Sequence, residues 1–204
     1  MDINFESLFF KKPKKCGDYF ICKLNEDIVI QFPKMKILSI TDKLVELEFI
    51  NDTSGYYKKI YDYLSNLDDF VIGYIHKYSK EWFDKNIPLE NIKQMYNKFI
   101  KSPKTSDSKC SLNFILKKNE IKTIDNKNNE IELSEISVSD TVECISQFKY
   151  IVFSKDTCFI TWELHSMKKK MVKIEKVKKY GFIEDKEEEI ISDSEDLESI
   201  ECFF

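Results

Sequence analysis

Two stretches of the chain interleave lysines with aromatic rings. The first holds Phe9, Phe10, Lys11, Lys12, Lys14, Lys15, Tyr19 and Phe20; the second holds Phe148, Lys149, Tyr150, Phe153, Lys155 and Phe159. Ammonium groups suit a string of phosphates, and ring faces suit unpaired bases, which stack for roughly 1–3 kcal/mol each. The candidate contact set is Lys14, Lys15, Tyr19, Lys149, Tyr150, Phe153, Lys155 and Phe159. Phe153, at a hairpin end beside Lys155, is the leading candidate for stacking. Strand alternation puts Cys158, Ile160, Trp162 and Leu164 on one face, which reads as core. Phe159, Thr161, Glu163 and His165 fall on the other, open to solvent or ligand. For every ring in the set, packing into the core is the competing reading.

Signatures of catalysis are missing. Four glycines in 204 residues form neither a GxGxxG nor a phosphate loop, and neither GxSxG nor HExxH occurs. Adjacent acids such as Asp68 and Asp69 point apart on a helix and read as solvated. The cysteines at 16, 22, 110, 144, 158 and 202 make no CxxC pair, and only His76 and His165 could assist them. They read as buried free thiols in a reducing compartment. The expectation is a protein with no enzymatic activity, no metal and no cofactor. No apolar run approaches the roughly 18 residues of a membrane span, and MDINFESLFFKKPKK lacks the layout of a signal peptide. Neither a membrane protein nor a secreted one is expected.

The net charge of −4 conceals a division. Residues 184–201 carry ten acids and one lysine, while the rest of the chain carries 26 acids and 31 lysines. A basic body is thus joined to an acidic tail, which is expected to stay extended because it repels itself. Its candidate partner-binding residues are Glu187, Glu188, Glu189, Asp193, Glu195 and Asp196, with Phe203 and Phe204 as aromatic anchors. An acidic polymer ending in rings resembles single-stranded nucleic acid electrostatically. The chain has neither arginine nor alanine, a bias that points to an AT-rich genome, so anion contacts must come from lysine point charges.

The elements that must position these residues follow from hydrophobic period. Residues 9–50 read as strands: DIVIQF and KMKILSI flank Pro33, and Val45, Leu47 and Phe49 alternate with polar partners. After residues 51–55 the period becomes helical, with Tyr57, Ile60, Tyr61 and Leu64, then Val71, Tyr74, Ile75, Tyr78 and Trp82. Pro88 opens a third helix over LENIKQMYNKFI. Strands resume with Leu112 and Phe114, then a hairpin-like IKTID–NKNN–EIEL unit and a hairpin made of VECISQFKYIVF and TCFITWEL. MVKIEKV reads as a last strand. The fold class expected is α+β, mostly antiparallel β, with a small barrel interrupted by a helical insertion at about 55–100. Residues 1–182 form the domain and 183–204 the tail.

The segment from IKTIDNKNNEIELSEI through SVSDTVECISQFKYIVFSKDTCFITWELHSMKKKMV resembles the second half of the barrel in single-stranded DNA-binding proteins of the podophage type. Large nucleocytoplasmic DNA viruses have the same layout. The helical insertion and the ending ESIECFF occupy corresponding places, SKEWF (79–83) resembles a signature of the viral members, and the order of elements matches over about 150 residues. The resemblance implies an OB-fold without catalytic activity, acting in viral DNA replication, recombination or repair. It implies that the acidic tail competes with DNA for the lysine-lined groove. Once released, the tail would recruit polymerase, primase or helicase. A homodimer through tail exchange or a sheet edge falls within the family's range, and a giant virus would place the protein in the host cytoplasm or nucleus. A rival expectation is a viral structural or interaction protein whose tail binds a basic protein; the modest surplus of lysine on the body favours it.

Overall fold

A computed structural model describes residues 5–50, 55–103 and 109–170, which belong to one unit, Met1–Lys170. Its strands are β1 (Lys14–Cys16), β2 (Tyr19–Lys23), β3 (Val29–Ile40) and β4 (Leu44–Phe49). Helices α1 (Tyr56–Phe83) and α2 (Leu89–Met95) follow. Then come β5 (Tyr96–Asn97), β6 (Ser111–Ile115), β7 (Lys122–Ile124), β8 (Thr141–Phe153) and β9 (Cys158–Lys170). The expected strand over 171–177 and the whole tail lie outside the described residues.

Strands β8, β3, β4, β6 and β9 are neighbours in that order, and β8 also pairs with β9, so the five close on themselves. All these contacts are antiparallel except β6 with β9, which meet in parallel at Ile115 and Glu163. With both helices inserted between β4 and β6, this is an OB-fold-like barrel in an α+β domain. Strand β8 is long enough to take two partners on one edge. Strand β3 pairs with Thr141–Gln147 and β2 with Tyr150–Phe153, which hangs the β1–β2 hairpin on the barrel. The hairpin turns at Gly17, whose φ of 62° favours a residue without a Cβ.

Alternation places the core. Val45, Leu47 and Phe49 point inward from β4, and Leu112 and Phe114 from β6. Phe32 meets Phe114 edge-on at 4.9 Å, and Phe99 stacks on Trp162 at 5.9 Å. Helix α1 packs the line Ile60, Leu64, Leu67, Val71 and Ile75 against this core. Its rings meet Phe49, Phe10 and Phe153 through Tyr57, Tyr74 and Phe83 respectively. The apolar area removed from water by these contacts is the main source of stability.

Four expectations are corrected. Pro33 does not separate two strands: β3 runs through it, and the missing N–H is absorbed by a slip in register between Phe32 and Met35. The first two helical stretches are one 28-residue helix, uninterrupted at Asn66 and Asp68. The third helix ends at Met95, because Tyr96 and Asn97 turn extended to pair with Cys158 and Phe159. The IKTID unit is also less than a hairpin. Its two sides share one bridge, Ile124 to Glu130, and β7 pairs in parallel with β9 instead.

Asp68 is 1% exposed, whereas its neighbour Asp69 is exposed, so the pair is not uniformly solvated. The Asp68 carboxylate accepts the Tyr96 hydroxyl at 2.6 Å and the Phe99 N–H at 3.2 Å, tying the segment after α2 to α1. Burial pushes its pKa up to about 6, against the opposing pull of those two hydrogen bonds. Between about pH 4 and 6 the folded protein therefore holds a proton that the unfolded chain has released, and stability falls as pH rises through that window. Denaturant midpoints at pH 4 and pH 6.5 should show Asp68→Asn gaining on the wild type as pH rises. A difference independent of pH would refute the assignment.

Candidate nucleic-acid interface

The β8–β9 ladder decides which side chains face outward. Its register slips twice, between Ile145 and Ser146 and between Phe148 and Tyr150. At the second slip Lys149 is the extra residue, a β-bulge that reverses the alternation of β8. Phe148 points into the core at 3% exposure, and Tyr150, two residues on, points out. Beyond the bulge Ile151 and Phe153 face inward, opposite Ile160 and Cys158, while Val152 faces outward opposite Phe159.

Strand β2 extends this outer face. Ile21 pairs with Val152 and Lys23 with Tyr150, and on β1 Lys14 pairs with Ile21. One row across four strands therefore reads Lys14, Ile21, Val152, Phe159; the next reads Lys23, Tyr150, Thr161. Tyr19 stands at the hairpin end of the same face, 50% exposed, and Lys155 is exposed in the β8–β9 turn. Among the described residues no ion pair holds Lys14, Lys15, Lys23 or Lys155. The Lys23 ammonium lies 5.6 Å from the centre of the Tyr150 ring. Half-buried rings with uncommitted cations beside them are what a single strand requires, and the barrel's own pairing brings them together.

The candidate set divides accordingly. Lys14, Tyr19, Tyr150 and Phe159 share the outer face, with Lys155 at its rim. Lys15 pairs with Phe20 and so sits on the opposite side of the hairpin. Lys149 is committed: its ammonium contacts Glu163 at 3.3 Å and donates to Gln147 Oε1 at 2.7 Å. Glu163 is 7% exposed and also meets Lys117 at 3.3 Å, and Lys117 contacts Glu120. These four residues cancel one another's charge, so Lys149 offers phosphates little.

Phe153 is corrected outright. It is 7% exposed, packed edge-on against Trp82 and Phe83, because α1 covers this end of the inner face. With Phe20, Ile75, Phe83, Ile92 and Met95 it walls a cavity of about 320 Å³ under the two hairpin turns. Lys23 and Thr161 belong to the outer face and were not in the candidate set. Lys23 lies just past the first basic cluster, and only the bulge reveals its neighbour. The tail residues, Glu187 to Phe204, lie outside the described residues.

No group of three metal-ligating side chains converges among the described residues. Cys22, Cys144 and Cys158 are buried, and burial pushes the Cys22 thiol up to about 12; Cys16 is exposed, unlike the expected buried thiol. Among the described residues no helix is long and apolar enough to cross a membrane.

No protein-family model matches the chain, and no curated protein matches its sequence. Solved structures do match. The gp2.5 single-stranded DNA-binding protein encoded by bacteriophage T7 has a TM-score of 0.50 at 8% identity, covering 78% of this chain and 100% of that one. A C-terminal truncation of the single-stranded DNA-binding protein from bacteriophage Enc34 gives 0.46 at 17%, covering 80% and 95%. The Enc34 protein in complex with ssDNA gives 0.43 at 17%, covering 78% and 94%. At such identity the likeness to the T7 protein is one of fold.

Phe153→Ala should cost about 3 kcal/mol of stability, as large-to-small core changes do, whereas Phe159→Ala should leave the denaturation midpoint nearly in place. A midpoint unchanged by Phe153→Ala would return that ring to the surface.

Proposed function

We propose that the chain is a non-catalytic single-stranded DNA-binding protein that holds the strand on the outer face of β1, β2, β8 and β9. The observation that carries this reading is the convergence of Lys14, Tyr19, Lys23, Tyr150 and Phe159 on one face, with no carboxylate among the described residues claiming the lysines. The fold shared with the T7 gp2.5 protein, which is described as a single-stranded DNA-binding protein, supports it. Lysine point charges and stacking faces read no sequence, so binding should be sequence-tolerant and strongly salt-dependent.

The finer reading is a role in viral DNA replication, recombination or repair, in the cytoplasm or nucleus of a host infected by a giant virus. The tail, residues 183–204, competes with DNA for the basic face and recruits polymerase, primase or helicase once displaced. What supports it is the division of charge along the sequence: a polyanion ending in two rings is joined to a lysine-bearing body. The rival, an interaction protein without nucleic-acid affinity, draws on the self-neutralised cluster of Lys117, Glu120, Lys149 and Glu163.

A fluorescence-anisotropy titration with oligo-dT at low and raised salt tests the reading. Binding should be tight at low salt, should weaken steeply with salt, and should favour single over double strands. Removing residues 184–204 should tighten it. A preference for duplex would reject the single-strand reading, no binding by either form would hand the case to the rival, and unchanged affinity on truncation would dismiss competition by the tail.

A further inference from the structure

We infer that the bulge at Lys149 builds a subsite for one nucleotide, in which Lys23 covers the Tyr150 ring until a base replaces it. The inference rests on the single-strand reading above and assigns Lys23 and Thr161 roles within it. In simple alternation Tyr150 would follow Phe148 into the core. The extra residue turns it outward, next to Lys23 in the β2–β8 pairing. Bulges commonly re-aim a side chain in this way beside a working site.

Lys149 itself is held by Glu163 and Gln147, and one hydroxyl holds the backbone of Tyr150 beside it. Thr161 Oγ1 accepts the Tyr150 N–H at 3.2 Å and donates to the Tyr150 carbonyl at 3.2 Å. Thr161 is therefore a positioning residue for the ring. Lys23, exposed and held by no ion pair among the described residues, rests over that ring at 5.6 Å. A cation on an aromatic face is a modest attraction at an exposed site, of the same order as base stacking or less. An arriving nucleotide replaces it at both ends: the base takes the ring face, and the phosphate takes the ammonium. Neither group is left unpartnered before or after, so the exchange requires no reorganisation of the sheet.

The test uses the full chain and oligo-dT. Tyr150→Leu should weaken binding about tenfold with the salt dependence unchanged. Lys23→Gln should weaken it several-fold and reduce the slope of log K against log salt by about 0.7, the share of one phosphate contact on a single strand. Thr161→Val should approach the Tyr150→Leu loss, and Thr161→Ser should restore wild-type affinity. In NMR spectra the ring-current displacement of the Lys23 side-chain protons should vanish when oligo-dT saturates the protein. A folded Tyr150→Leu protein with full affinity, an unchanged slope in Lys23→Gln, or a displacement that persists in the complex would each overturn the subsite while single-strand binding stands. A wild-type protein that ignores oligo-dT at low salt would overturn both.

Discussion

The ladder of twelve pairs between the thirteen-residue strands β8 and β9 is the constraint on which the rest of the structure depends. This ladder closes the barrel, carries β2 and β3 on its near edge, and carries β5, β6 and β7 on its far edge. Its two slips sit on opposite strands, so the second restores the register that the first displaced. Between them every inward pair is preserved: Cys144 with Met167, Ser146 with Leu164, Phe148 with Trp162, Ile151 with Ile160. Without the slips one end of each strand would turn its apolar set to solvent, since a one-residue shift exchanges the two faces of a strand. The bulges are therefore the means by which two long strands keep a single core while curling.

Electrostatics follow the same geometry. Several lysines outside the hairpin turns are matched with acids: Lys118 with Asp42, Lys169 with Asp140, Lys170 with Glu143, and Lys149 and Lys117 with Glu163. Near the β1–β2 hairpin, Lys14, Lys15 and Lys23 have no such partner among the described residues. These three share one hairpin, and charges gathered in this way attract a polyanion more effectively than the same charges spread evenly. The same lysines protect the edge of β1, whose open backbone would otherwise invite pairing with another sheet.

Much of this was legible in the sequence where one strand or helix decides the outcome by itself. The period of two in Val45, Leu47 and Phe49, and in Cys158, Ile160, Trp162 and Leu164, predicts their burial, and the insertion of helix between two strand groups predicts the interrupted barrel. What remained hidden depended on partners far away in the chain. Phe153 reads as exposed from its turn and its lysine neighbour, and it is buried only because Trp82 and Phe83 arrive from α1. Asp68 reads as a solvated acid until Tyr96 and the Phe99 amide, about thirty residues on, are brought to it. Tyr150 is the subtler case: its local pattern is unremarkable, and its outward direction is set by where the ladder must slip.

The alternation that separates core from interface also ties them together mechanically. Tyr150 and Phe159 stand on backbones whose adjacent residues, Ile151, Cys158 and Ile160, are buried in the core. On the proposed reading, a stacking face mounted this way is pre-ordered, so little conformational entropy would be lost when a base settles on it. The same mounting means that a cavity opened beneath β8 or β9 would tilt the rings above it and weaken binding without touching the ligand. Lys14 and Tyr19, on the short hairpin, have no such backing and can follow an irregular backbone. A rigid platform flanked by adaptable lysines suits a ligand whose bases are uniform in kind but variable in path.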